Sequence, residues 1–107
     1  MNNQNTITIE ARIDKLFNDT DRNLRAIASI NVCGVVAIHE IKVMDSDNGI
    51  FIAMPSYSFN NKKGEKRYKE YAHPITREAR KAIHSEVLKA YNNALLKQRG
   101  ITTNDEE

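Results

Sequence analysis

The chain has 107 residues, 28% charged and 40% hydrophobic, with a net charge of only +2. That size bounds it to one domain around one core, and no apolar run approaches the ~18 residues of a membrane-spanning helix. A single cysteine, Cys33, excludes an internal disulfide and any multi-cysteine metal site.

Met1-Asn2-Asn3-Gln4-Asn5 lacks the basic-then-apolar pattern of a secretory signal, so a cytoplasmic protein without membrane insertion is expected. From Thr6 to Leu16 the residues alternate, with Ile7, Ile9, Ala11 and Ile13 on one face and Thr8, Glu10, Arg12 and Asp14 on the other, which predicts a half-buried strand. Asn18 to Asn23 is a polar turn. Leu24 to Val32 alternates again, and Val35 to Met44, rich in β-branched residues, predicts a third strand after a turn at Cys33-Gly34. Cys33 lies in this apolar stretch, so an inert buried thiol is expected there. Asp45 to Gly49 ends in an Asn-Gly pair suited to a tight hairpin, Ile50 to Met54 predicts a fourth strand, and Pro55 ends it or confines it to an edge. Asn60 to Glu65 is a second loop, followed by a short fifth strand over Arg67 to Ala72.

The pattern then changes period. His73 precedes Pro74 and is expected to be extended, Thr76 suits an N-cap, and Glu78 suits a first helical turn. Ile83, Val87, Tyr91 and Leu95 recur every four residues up to Lys97, Arg99 and the terminator Gly100. Strands over about 6–72 and a helix over about 76–99 define an α+β fold, an antiparallel meander of four to five strands covered by one long amphipathic helix. Residues 1–100 form the domain and 101–107 an acidic, disordered tail. A helix of about 34 Å over strands of about 20–27 Å is expected to overhang its sheet, leaving Tyr91 and Leu95 to be covered by a second copy of the chain, the alternative being a bend in the helix.

The charges are sorted along the sequence. Residues 61–99 hold eleven Lys/Arg against four Asp/Glu, whereas residues 1–60 hold five against seven. A concentrated positive field attracts polyanions and speeds their encounter. Arg77, Arg80, Lys81 and His84 share one face of two helical turns. Arg77 stands at the first helical position, where a cation opposes the macrodipole at a cost of about 0.3–1 kcal/mol, and a local rule broken without visible gain points to function. Lys62, Lys63, Lys66, Arg67 and Lys69 widen the patch if the second loop folds beside the helix start. Tyr57, Phe59, Tyr68 and Tyr71 interleave with them, as sheet packing or as rings for stacking on bases.

Other constellations carry less. Asp45, Asp47 and Gly49 resemble a calcium loop, but its glycine is displaced by one and its twelfth position is Ser56 rather than a bidentate Glu. His39, His73 and His84 fall on different elements, and His39 is expected to hydrogen-bond structurally. No phosphate loop, serine elbow or paired-carboxylate motif is present, so neither an enzyme, a cofactor, a metal site nor a small-molecule substrate is expected. An enzyme would require one pocket grouping His39, Glu40 and His73.

The runs Arg25 to Ile30, Val36 to Met44 and Asn48 to Ser56 resemble the SpoVG family (stage V sporulation protein G), as do Ala72-His73-Pro74-Ile75 and the following Arg80, Ile83, Val87, Leu88 and Tyr91. The resemblance spans about Ile7 to Tyr91. It implies an antiparallel sheet with a C-terminal helix, a homodimer, and a bacterial regulator that binds DNA and RNA and is linked to septum formation, cell division and sporulation. It also implies nucleic-acid contacts at Arg77, Arg80 and Lys81. The chain departs from the family pattern there, carrying Lys81 at an acidic position and Ala82 at a basic one, and its loop from Tyr57 to Arg67 is longer and more basic. The competing reading is a septation-linked protein–protein interaction module without direct nucleic-acid binding.

Overall fold

The computed structural model describes residues 7–18 and 22–100. Expectations for Met1 to Asn5, for Thr6 at the start of the first predicted strand, for residues 19–21 of the first turn and for the 101–107 tail lie outside the described residues. Six strands precede one helix: β1 (Ile9–Leu16), β2 (Leu24–Val32), β3 (Val36–Ser46), β4 (Gly49–Ala53), β5 (Ser56–Asn60), β6 (Lys66–Glu70) and α1 (Arg77–Gln98). The first four form an antiparallel meander in the order β1-β2-β3-β4, and β5 and β6 pair as a separate two-stranded hairpin. The α+β class is as expected. The additional strand β5 begins directly after Pro55, which divides one extended run into two strands in different sheets.

The turn chemistry is local. At the β2–β3 turn Cys33 and Gly34 both lie in the left-handed region, at φ +55° and +74°, and the Asn31 side chain accepts the Gly34 N–H at 2.7 Å. Cys33 is therefore exposed at a hairpin tip, beside Val35 and Val36, which are exposed too. The expectation of a buried thiol is corrected: the apolar stretch is interrupted by the turn that carries the cysteine.

The register of β2 and β3 shifts at two places, between Leu24 and Ala26 and again between Ala28 and Ile30. Ala28 faces Ile41 and Ile30 faces Ile38, so the single residue Ser29 is opposed by two, His39 and Glu40. This is a β-bulge, and Glu40 takes the positive φ of +63° that accommodates the extra residue. The bulge keeps both Ile38 and Ile41 on the core side.

One core joins sheet and helix. Ile9, Ala26, Ala28, Ile30, Ile41, Val43 and Met54 from the strands meet Ile83, Val87 and Tyr91 from α1, with Leu16, Ile52 and Leu95 at the margin. Thr76 caps the helix by accepting the Ala79 N–H at 3.0 Å, and Gly100 ends it at φ +81°. At the far end Gln98 Nε2 donates to Asn18 Oδ1 at 2.7 Å, tying the helix to the end of β1. The expected overhang near Tyr91 is not found. Tyr91 is only 8% exposed and belongs to the chain's own core, and Leu95 packs against that core. The helix packs chiefly on β1, and the Gln98–Asn18 bond ties its C-terminal end there.

Tyr91→Ala should therefore cost about 3–5 kcal/mol, the range for deleting a core aromatic. Urea denaturation at two widely separated protein concentrations checks this. The loss should be the same at both, whereas an intersubunit tyrosine would give a loss that depends on concentration.

Candidate nucleic-acid interface

The buried stripe of α1 starts at Ile83. At about 100° per residue, Arg80 lies on almost the same side as Val87, yet it is exposed. The stripe that faces the core thus gives way to a cation where the helix extends past its cover. Arg80 and His84 line a cleft of about 120 Å³ with Phe51, Ile52, Met54, Pro74 and Ile83, between the helix start and β4. Arg77 and Lys81 stand further out, both exposed. Arg77, Arg80 and Lys81 form no ion pair among the described residues. Their charges face solvent beside backbone N–H groups that a helix leaves unpaired at this end.

The second basic group sits on the β5–β6 hairpin. Its tip is organised by Asn61, whose Oδ1 accepts the N–H groups of Lys63 and Glu65, each at 2.9 Å, while Gly64 supplies a φ of +78°. Lys62, Lys63, Lys66 and Arg67 are all exposed. Arg67 Nη2 donates to Glu65 at 2.8 Å, and the Lys66 ammonium lies 5.5 Å from the Tyr68 ring centre. The hairpin does not fold beside the helix start: α1 packs against β1 to β4 and does not touch β5 or β6. Packing of the hairpin on the helix, the condition for the two basic groups to form one patch, is not met.

A polar cluster that sequence reasoning missed lies on the sheet face turned away from the core. Ser29 Oγ donates to Asp14 Oδ2 at 2.5 Å and sits 2.8 Å from His39 Nδ1. Ser29 is buried, being the hub of the three. The Ser29 hydrogen bond, with Arg12 and His39 adding positive charge, holds the Asp14 carboxyl below its ordinary value of 3.8 despite partial desolvation. Because the serine proton is committed to Asp14, the imidazole donates to Oγ rather than accepting from it. That is the reverse of the arrangement that activates a serine nucleophile. The adjoining cavity of about 280 Å³ is lined by His39 but by neither Glu40 nor His73. The cluster is legible in principle, since alternation puts Asp14 and Ser29 outward, but only the strand register brings them together.

A four-stranded meander covered by one helix, with cations at the helix start and on a projecting hairpin, defines a small α+β domain with a basic surface. The SpoVG family profile matches residues 7–93, and the chain belongs to that family. It is 42% identical over 89 residues to a protein of Finegoldia magna named "Putative septation protein SpoVG", covering 83% of this chain and 78% of that one. A protein of the same name from Clostridioides difficile is 38% identical, covering 81% and 88% of the two chains. Another from Clostridium botulinum is 36% identical, covering 83% and 91%. Among the described residues no helix is long and apolar enough to cross a membrane.

The depressed carboxyl fixes a pH dependence. A group whose folded value lies below its unfolded one contributes stability above the unfolded value and loses it as pH falls through the folded one. Ser29→Ala should cost about 1–3 kcal/mol at neutral pH, as the loss of a part-buried hydrogen bond to a charged group. Thermal melts of wild type and variant should converge as the pH is taken below 3.8.

Proposed function

We propose that this chain is a small dimeric regulator that binds DNA and RNA through the basic start of α1, with the hairpin cations adding a general phosphate-attracting field. The observation that carries the reading is the exposure of Arg77, Arg80 and Lys81, without ion-pair partners among the described residues, around a helix N-terminus where the Thr76 side chain takes only the Ala79 N–H. Arg77 and Lys81 suit phosphates, while Arg80, beside the cleft, suits a base edge. The link to septum formation is supported by family membership and by the names of the relatives, and the regulatory role in cell division and sporulation extends that link as part of the proposal. The dimer rests on the same family and on the free edge of β4, where Ile50 and Phe51 are exposed. A two-fold pair would present the helix start twice.

The alternative, a septation-linked interaction module without nucleic-acid binding, keeps that β4 edge as its motive. It loses the unpaired helix surface, because Tyr91 is covered by its own chain.

A mobility-shift titration separates the two. Arg77→Ala/Arg80→Ala/Lys81→Ala should weaken binding to both DNA and RNA by at least about tenfold. The slope of log affinity against log salt should flatten by about one for each phosphate that the variant no longer neutralises. Equal affinity of variant and wild type would refute the assignment. Light scattering on dilution should show a dimer, and a monomer at every concentration would remove that part of the proposal.

A further inference from the structure

The β5–β6 hairpin exposes what a small domain would ordinarily bury. Tyr57 and Phe59 alternate onto one face of β5, with ring centres 6.2 Å apart. Tyr71, just past β6, continues the row at 6.1 Å from Tyr57, its plane inclined by only 25°. The three rings are 47%, 42% and 59% exposed. The register places Lys69 opposite Tyr57 and Arg67 opposite Phe59, so cations flank the rings on the same face. Among the described residues neither the main sheet nor the helix covers the hairpin: β5 and β6 pack on none of β1 to β4 and not on α1.

The base of the row is fixed. Tyr71 Oη donates to Glu40 Oε1 at 3.2 Å, and the Tyr71 N–H bonds the carbonyl of the buried Pro55 at 3.1 Å. Three neighbouring aromatic rings, the Tyr57–Phe59 pair inclined by 45°, with five Lys/Arg against two Glu between Asn61 and Tyr71, match the chemistry of a polyanion whose flat faces are accessible. The positive excess disfavours a second copy of the same hairpin and favours phosphates. The ring spacing selects further. Successive bases in one strand of a duplex rise by about 3.4 Å, so rings about 6 Å apart do not match stacked bases but do match an extended strand with its bases splayed apart.

We propose that Phe59, Tyr57 and Tyr71 form a stacking platform for a single-stranded polynucleotide, with Lys69 and the tip lysines on its phosphates. This deepens, and rests on, the nucleic-acid reading above, but it uses a surface distinct from the helix start. The platform reads base faces and not the sugar, so an oligothymidylate is a sufficient probe.

The test compares that oligomer with a duplex of equal length. Tyr57→Leu/Phe59→Leu keeps strand-compatible apolar side chains but removes the π faces. It should weaken single-strand binding by about ten- to hundredfold and change duplex affinity by less than about twofold. The chain has no tryptophan, so Tyr57→Trp introduces one reporter. That variant should retain single-strand affinity, and its emission should be quenched by the oligomer but not by the duplex. Undiminished single-strand binding by the leucine variant, or emission unchanged at saturation, overturns the platform while leaving the helix-start assignment intact. A leucine variant that changes oligomeric state but not affinity also overturns it and assigns the row to a second copy. A wild-type protein that binds neither probe removes the nucleic-acid reading itself.

Discussion

Burial of one helix stripe against one face of one sheet is the constraint from which the other features follow. Ile83, Val87 and Tyr91 have only β1 to β4 to pack on, and the fully buried Ala26 and Ala28 give room for that approach. Because the described residues hold no second layer of helices, the opposite sheet face meets water and carries Arg12, Asp14, Ser29, His39 and Lys42. The same geometry leaves the hairpin uncovered. A single helix can bury a four-stranded meander but cannot also reach β5 and β6.

The helix and its caps are readable in the sequence because their signals are local: the four-residue apolar repeat, Thr76 at the start and Gly100 at the end each act within one or two turns. The first four strands are readable for the same reason, through alternation. What escapes are features created by pairing. No local signal says that Pro55 sends the chain into a second sheet, since Ser56 to Asn60 alternates as any strand does. Comparing element lengths misplaces Tyr91, because burial depends on which strands the helix packs against, and α1 packs chiefly on β1. Composition misplaces Cys33, because two residues in the left-handed region turn an apolar run inside out.

The candidate site shows the same division. Sequence spacing puts Arg77, Arg80, Lys81 and His84 on one stretch of helix, and they are indeed neighbours there. It cannot say that Arg80 and His84 border an apolar cleft against β4 while Lys81 stands clear of it. Nor can it say that the hairpin cations sit apart. Two basic surfaces on one chain, one built on a rigid helix and one on a two-stranded arm, differ in the geometry that they offer to an anion, even though a charge count merges them.

The bulge at Glu40 has a consequence for how this fold can vary. Its carboxylate meets Tyr71 at the root of the arm, while residues 62–65 at the tip are exposed. Lengthening that tip costs little beyond loop-closure entropy, which grows only as the logarithm of length. The arm can therefore vary in length and sequence while folding stays under the control of the root and the helix. In such a design the reach of the protein and its stability are inherited as independent traits.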